Sequence, residues 1–429
     1  MKSCVKSANF KQGKNNIKWA ESQMGALLEV RKRFLKEKPL KNVAVGMALH
    51  VTKETAALVR TLRAGGAEVA ICGCNPLSTQ DEVAGALVKE GISVFAFRDQ
   101  TTAEYYKNLN AVVGFLSSKL KTKNSKLATI DDGCDLISEI HQKHQNLIPH
   151  LVVGTEETTT GVIRLRAMEK DHALKYPIIA VNDNQTKHLF DNFYGTGQST
   201  IDGILRSTSV LLAGKKFVVS GYGDCGRGVA KCAKGMGAIV IIGEVDPVRT
   251  LQARMDGYEV MKMSDAAEIG DIFVTVTGCR DIIKKEHFAK MKDGAILANS
   301  GHFDIEIDVK ALRKMAEECE QVRPCLEKFT LKTNDQRQKT IYLCGQGRLV
   351  NLACAEGHPS EVMSLSFCGQ TLAVEYGVKN EGNLAKKVNV LPKEIDQKIA
   401  SLQLEAMGIK KDELTTAQKN YLSSWKTGT

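Results

Sequence analysis

Lys187 and Asp191 stand four residues apart, so a helix puts their side chains on one face. There they form either a routine ion pair or, beside a hydride acceptor, a pair that handles the proton of a substrate hydroxyl, provided burial drives the lysine's pKa down. Three further sets of proton-handling groups follow short apolar runs. His50 and Thr52 follow Val43–Leu49, Asp131 and Asp132 follow Leu127–Ile130, and Glu156 and Glu157 with Thr158, Thr159 and Thr160 follow Leu151–Val153. A fourth set, Ser300-Gly301-His302, follows Ala295–Asn299. Taken singly, each has a plain structural reading: a half-buried imidazole, a helix cap, a carboxylate facing water. Their recurrence at successive strand ends points to acid–base chemistry, because ligands of open α/β sheets bind beyond the carboxyl ends of the strands.

The strand-like run Phe217–Ser220 leads into Gly221-x-Gly223-x-x-Gly226, followed by a helix-compatible stretch from Arg227 to Met236 and a stop at Gly237. Ala238–Ile242 is the next strand-like run, and Glu244 follows it, 18 residues after Gly226. That context is the fingerprint of a dinucleotide-binding βαβ unit. Gly221 permits the tight turn, Gly223 lets backbone amides approach a pyrophosphate at the helix N-terminus, and Gly226 allows close helix–strand packing. Glu244 can accept from a ribose diol and repels a 2′-phosphate, which favours NAD. Arg249, five residues on and past an Asp246-Pro247 helix start, is the one feature pulling towards NADP.

From residue 42 onward, short β-rich runs alternate with segments of helical period, and glycines sit at the joints. Strands are expected at 42–49, 68–72, 93–97, 127–130 and 151–153, with helices at 53–62 and 80–89. A second alternating series runs from Lys216 to about Leu349, introduced by an amphipathic helix at 201–212 that Thr200 would cap. Residues 352–429 read as helical, with the polar, Lys-rich stretch 391–411 as an extension reaching outside the compact body. The expected fold class is α/β: two doubly wound, Rossmann-like domains facing a cleft, with a short C-terminal extension.

The 429 residues allow two or three domains. A net charge of +10 arises from 59 Lys/Arg against 49 Asp/Glu, but ten of the bases fall within residues 1–40, against three acids, and four lysines without an acid fall within 117–126. The remainder is close to balanced and only 6% of residues are aromatic, so neither a basic face nor a set of stacking platforms supports nucleic-acid binding. Ile17, Ala20, Met24, Leu27, Leu28 and Val30 recur at helical spacing, which puts the first group of charges on a solvated helix face. The second group is expected on a loop ahead of Asp131. Twelve cysteines without any Cys-x-x-Cys argue for reduced thiols and against a structural metal site. No run nears the ~18 apolar residues of a membrane span, and the Met-Lys-Ser-Cys start lacks signal-peptide character. A cytoplasmic protein without membrane contact is the expectation.

Several motifs then form a longer pattern: His50-Val-Thr52-Lys-Glu54-Thr55, Asn75-Pro-Leu-Ser78-Thr79-Gln80-Asp81, Asp131-Asp132-Gly133, Glu156-Glu157-Thr-Thr-Thr-Gly161, Lys187, Phe190-Asp191-Asn192, the glycine loop, Gly301-His302-Phe303-Asp304, Gly347-Arg348-Leu349-Val350-Asn351 and Gly357-His358-Pro359. Together they resemble the S-adenosylhomocysteine hydrolases, in that family's order and over nearly the whole chain from about residue 15. The resemblance implies a reaction that the motifs alone do not reveal. In the family, bound NAD⁺ oxidises the substrate's 3′-hydroxyl, which acidifies the C4′ proton. Homocysteine is eliminated, water adds at C5′ and the hydride returns, so the net result is a reversible hydrolysis.

Carried over residue by residue, the resemblance implies that Lys187 and Asp191 deprotonate and orient the 3′-hydroxyl, with Asn192 nearby, and that Glu157 binds the ribose hydroxyls. Asp132 becomes the candidate base at C4′, and His50, Asp132 and His302 serve the leaving thiol and the attacking water. Thr52 and Glu54 match adenine-contacting positions, with Thr55 beside them, and His358 lies near the purine. For NAD the carry-over adds Thr158, Thr159, Thr160, Asn192, Asp224, Cys225, Glu244, Thr277, Ser300, Gly301, His302 and Asn351 to the glycine loop, with Arg249 adjoining; no metal is implied. The chain would divide into a substrate domain (1–186 plus 352–390), an NAD domain (191–351) and an oligomerisation extension (391–429). Hinges near 187–192 and Asn351, one NAD per subunit and a homotetramer are also implied.

Three departures stand out. Thr196 occupies a place where many members carry Cys. The end Tyr421-Leu-Ser-Ser-Trp425-Lys-Thr-Gly-Thr429 lacks the Lys and Tyr tail that in many members reaches a neighbouring subunit's cofactor. With Gly195-Thr-Gly-Gln-Ser, that end is similar to the archaeal-type branch, in which some relatives prefer an inosyl substrate. Glu54 favours the adenosyl substrate, since a carboxylate accepts from a 6-amino group and opposes a 6-oxo group. A catalytically silent NAD-binding homologue and a net dehydrogenase are the remaining alternatives. Every proton-handling position has a suitable residue, which opposes the first, and no separate reducible-substrate site suggests itself for the second.

Overall fold

The structure, a computed structural model, describes residues 3–6, 9–120, 125–332 and 338–426. Runs of small and branched apolar residues make its strands, most of them buried on both faces, as parallel sheets covered by helices require. The first sheet contains β1 (Val43–Ala48), β2 (Glu68–Cys72), β3 (Ser93–Phe95), β4 (Lys126–Asp131), β5 (Leu151–Glu156), β6 (Ile178–Ala180) and, from far along the chain, β15 (Val388–Asn389). They lie side by side as β15-β6-β5-β4-β1-β2-β3 and are parallel throughout.

The second sheet is built from β7 (Lys216–Ser220), β8 (Ile239–Gly243), β9 (Glu259–Val260), β10 (Ile272–Thr275), β11 (Ala295–Asn299), β12 (Ala316–Arg323), β13 (Leu326–Lys332) and β14 (Gln338–Cys344), in the order β12-β13-β14-β11-β10-β7-β8-β9. Its core β9-β8-β7-β10-β11-β14 is parallel, and the β12–β13 hairpin joins antiparallel at one edge. In each sheet the third, second and first strands lie on one side and the later ones on the other, which is the doubly wound order. Each sheet is packed on both faces, by a core including Val45, Met47 and Leu58 and one including Leu109, Ile137 and Tyr176 in the first, and by cores around Phe217 and Val219 and around Phe273 and Phe288 in the second.

The expected α/β class holds, and several local expectations change. Residues 16–35 form not one helix but parts of two, Phe10–Gln23 and Gly25–Glu37, broken at a buried Met24. Their charges are not all solvated: Arg31 pairs with Glu21 at 2.6 Å, and Arg33 reaches the buried Glu375 at 2.5 Å. Thr200 is not a cap. The helix runs Thr196–Thr208, continuing a π-helix at His188–Gly195, and Thr200 lies inside it with its hydroxyl on Ser300 at 2.7 Å. The Lys-rich stretch from 391 does not leave the body as a whole: Lys393–Ala406 is a helix whose Ile399 is fully buried in the first sheet's core, together with Leu391. Only the part beyond about residue 407 is exposed throughout. Of the basic 117–126 segment, Lys119 ends a helix and Lys126 opens β4, while 121–124 fall outside the described residues.

Candidate active site

The strand order of the first sheet reverses between β1 and β4, and that of the second between β7 and β10. Both reversals open on one cavity of about 790 Å³ lined by residues of the two sheets. Of the site residues that the resemblance implies, all but one line it: His50, Thr52, Glu54 and Thr55 from the end of β1, Asp132 from β4, Glu157 and Thr158–Thr160 from β5, Lys187, Asp191 and Asn192 from the turn and π-helix, and His358; of the strand-end doublets, Asp131 and Glu156 do not. Gly221, Gly223, Asp224, Cys225, Glu244, Arg249, Thr277, Ser300, Gly301, His302 and Asn351 line it from the second sheet's side. Gly226 is the exception and stays behind the wall. A side chain there would meet the Gly221 carbonyl at 2.0 Å, so its role is the close packing that its motif position implies.

At the polar centre, Lys187 Nζ lies 2.6 Å from Asp191 Oδ2, donates to Asn192 Oδ1 at 2.7 Å and is 3.7 Å from Glu157 Oε1. The other Asp191 oxygen meets His358 Nδ1. The sequence-based condition that burial lower the lysine's pKa is not met. Burial acts in that direction, but the Asp191 and Glu157 carboxylates outweigh it, and Lys187 is raised above the ordinary amine range. Asp191, despite burial, is held well below the carboxylate range by Lys187 and His358. Glu157 accepts from Gln370 Nε2 at 2.5 Å and from the Ser366 hydroxyl. Burial pushes its carboxyl up to about 7, with Lys187 opposing and Asp191 and Asp132 reinforcing.

A second cluster bridges the two sheets. Asp132 has its Oδ2 3.5 Å from His50 Nε2 and its Oδ1 3.6 Å from His302 Nδ1. His50 Nδ1 is fixed by Ser78 Oγ at 2.7 Å, and burial lowers the imidazole's pKa to about 4, so His50 is neutral at physiological pH. Its neutral ring can accept a proton.

The dinucleotide end is shaped by backbone. Gly221 takes a left-handed conformation (φ 107°), and a side chain on it would strike the Val276 carbonyl at 2.7 Å. A Cβ on Gly223 would meet no atom closer than Arg249 Nη1 at 3.5 Å, so backbone and guanidinium leave an open, cationic cradle at the start of the helix Asp224–Gly235. Glu244 accepts from the amides of Tyr222, Val245 and Asp246 at 2.7–3.0 Å, which aims its carboxylate over the loop. Asn351 donates to Ser199 at 3.2 Å, and among the described residues its buried Oδ1 has no hydrogen-bond partner, which suits it to an amide donor. These groups fit a dinucleotide. Thr196 donates to Cys225 Sγ at 3.5 Å and touches His358 Nε2 at 3.3 Å, so the Cys-to-Thr departure supplies a hydroxyl link between the Lys187 cluster and the helix that follows the glycine loop.

Some supporting residues were not singled out from the sequence. Asn299 accepts from Thr275 and Gly301 and donates to the carbonyls of Gly301, Phe303 and Gly347, which shapes the loop carrying His302. Glu306 accepts from Thr277 N, Thr277 Oγ1 and Gly278 N, so the Thr277 hydroxyl is already engaged. Ser366 and Gln370 lie on the buried helix Ser360–Lys379, and polar residues at i, i+4 in so apolar a segment were the available signal.

Residues 3–152 match the family model of S-adenosyl-L-homocysteine hydrolase, and residues 192–357 match the model of its NAD-binding domain. The chain is 56% identical over 420 residues, 98% of each chain, to an S-inosyl-L-homocysteine hydrolase of Methanocaldococcus jannaschii. It is equally identical, 56% over 97% of each chain, to adenosylhomocysteinases of Saccharolobus solfataricus and Aquifex aeolicus. The chain belongs to the S-adenosyl-L-homocysteine hydrolase family. In this family member, the cradle from Gly221 to Glu244 falls inside the matched NAD-binding domain, and His50 and Asp132 inside the other match. NAD is accordingly its cofactor. Among the described residues, no helix is long and apolar enough to cross a membrane.

Proposed function

We propose that this chain reversibly hydrolyses S-adenosyl-L-homocysteine to adenosine and L-homocysteine, with NAD held in the cleft. The observation that carries this reading is that the Lys187 cluster, the Asp132 cluster and the glycine cradle line one cavity. When bound, NAD supplies an acceptor for the hydride of the 3′ carbon and returns it at the end. Asn351 Oδ1 is suited to the carboxamide, Glu244 to the adenosine ribose and the Gly223 amides with Arg249 to the pyrophosphate.

The chain's own groups divide the proton work. Lys187 and Asp191 hold the 3′-hydroxyl between a donor and an acceptor, while Glu157 accepts from the ribose hydroxyls. Lys187 must shed a proton before it can take one, and Glu157, raised to about 7 and facing Nζ, is the group able to exchange it near neutral pH. Asp132 acts as base at C4′. Neutral His50 takes a proton from the attacking water, and His302 serves the leaving sulfur on the same carboxylate.

The relatives carry both substrate names at the same identity, so the purine preference rests on Glu54. Among the described residues, Ser360 Oγ donates to its Oε1 at 2.7 Å and Lys53 Nζ lies 3.3 Å from the same oxygen, which leaves Oε2 for a 6-amino group. The test is kcat/KM for the adenosyl and inosyl substrates side by side. A higher value for the adenosyl substrate is expected; a preference for the inosyl one would overturn the role of Glu54.

The proposed working division is a substrate domain of 1–186 with 352–390, here joined by the packed helix Lys393–Ala406, and an NAD domain of 191–351, with hinges at the π-helix and near Asn351. A homotetramer is supported by exposed apolar residues on one face of Pro247–Met255 (Val248, Leu251, Met255) and on the terminal segment (Leu414, Tyr421, Leu422, Trp425). Twelve free thiols fit a reducing, cytoplasmic setting.

A further inference from the structure

Two cysteines that take no part in the cavity meet beside the second hinge. Cys325 sits in the turn between β12 and β13, in a left-handed conformation (φ 60°), and its carbonyl accepts from Gly345 N at 2.8 Å. Cys354 follows the short helix Val350–Ala353 that carries Asn351. Cys325 Sγ is 3.1 Å from the carbonyl of Ala353, the residue before Cys354, and Cys354 Sγ is 3.8 Å from the Cys325 carbonyl, so each thiol lies against the other cysteine's backbone. From the opposite sheet, just past β3, Arg98 Nη2 reaches Cys325 Sγ at 3.9 Å and also donates to the Ala353 carbonyl. Both cysteines are half-buried residues.

We propose that Cys325 and Cys354 form a reversible disulfide that controls movement about this hinge. The reduced pair is poised for it. Cys325 is held below the ordinary thiol range by the Cys354 thiol, with burial opposing and Arg98 assisting, whereas Cys354 is raised by Cys325 and by burial. With a peroxide as oxidant, the Cys325 thiolate attacks one peroxide oxygen, the O–O bond breaks and the departing hydroxide takes up a proton to become water, leaving a sulfenic acid. The Cys354 sulfur then attacks the Cys325 sulfur. The S–S bond forms, the S–O bond breaks, and a second water leaves with the Cys354 proton. Two electrons pass from the thiols to the peroxide, and a dithiol reductant returns them.

Oxidation converts the Cys325 sulfur that accepts from Arg98 into a disulfide sulfur, and ties the segment after Asn351 to the β12–β13 hairpin. Both effects act on closure, so the inference rests on the hinge described above; disulfide mapping tests the bond without reference to turnover. The experiment treats the full-length, NAD-loaded protein with hydrogen peroxide, alkylates the remaining thiols, maps disulfides by peptide mass spectrometry and assays hydrolysis. The expected result is a Cys325–Cys354 peptide, a loss of turnover, and recovery of both states with dithiothreitol. C325S, with C354A as a second variant, should keep its untreated turnover and resist peroxide. Recovery of both cysteines as alkylated thiols, a bond that forms without changing turnover, or equal inhibition of C325S would overturn the proposal.

Discussion

Lys187 stays charged although burial opposes it, because two carboxylates outweigh the cost of leaving water. Lys187→Ala should lower kcat about 10²–10⁴-fold, the usual size of a general acid–base contribution. NAD should stay bound, as a fluorescence titration with the cofactor would verify; unchanged hydrolysis would mean that the relay is misassigned. Glu157 is raised to about 7, so its accepting form grows as pH rises through that value and is lost below it. The kcat/KM profile should therefore climb through about pH 7, and Glu157→Gln should remove that limb. Strand-end polarity named the doublets Asp131-Asp132 and Glu156-Glu157 without separating their members, and only the resemblance singled out Asp132 and Glu157. Successive strand residues point to opposite sides. Asp131 and Glu156, in register at the ends of β4 and β5, turn into the protein, and their pKa values are raised by burial. The residues that follow them line the cavity. Asn299 and Glu306 stayed hidden because only their backbone partners, distant in sequence, distinguish them from ordinary polar residues.

The turn Gln185–Lys187 and the π-helix that continues it present the lysine, and their start is capped from elsewhere. Asp396, on the helix Lys393–Ala406, accepts from Gln185 N at 2.8 Å, Thr186 N at 3.2 Å and the Thr186 hydroxyl. Asp396→Ala should cost about 0.5–2 kcal/mol, the range of a lost N-cap, seen as a lower midpoint in thermal denaturation. It should also lower kcat, since Lys187 loses its anchor. β1 to β5 of the first sheet and β7, β8 and β11 of the second were legible to within a few residues because their apolar runs end abruptly in polar ones, whereas β6, β9, β10 and β12 to β14 were not singled out. The π-helix was not: wide helical turns reflect tertiary packing rather than propensity, and at Gly195 the His358 ring approaches so closely that a side chain would stand 2.8 Å from it. Thr200, a good cap by residue type, was overridden by that continuation. The two-residue β15 carried too little pattern to recognise.

Across the molecule, the two sheets are tied by His302 on Asp132, Arg98 on the Ala353 segment, and Glu356, which meets Lys53 at 2.9 Å and Arg206 at 3.1 Å. The two α/β sheets and the cavity they share were readable from sequence because alternation and strand-end polarity are local signals. The contacts that close the cleft join residues hundreds of positions apart and were not readable. The basic balance proved to be partly structural, with Arg31 and Arg33 spent on carboxylates. Light scattering should give the mass of a tetramer, and Leu251→Glu on the exposed stripe should reduce it. The most direct test of the whole account is to add adenosine to the NAD-loaded protein and follow NADH absorbance. The absorbance should rise as the 3′-hydroxyl is oxidised, fall when homocysteine is added, and be absent in Lys187→Ala; no absorbance from the unmodified protein at any adenosine concentration would contradict it.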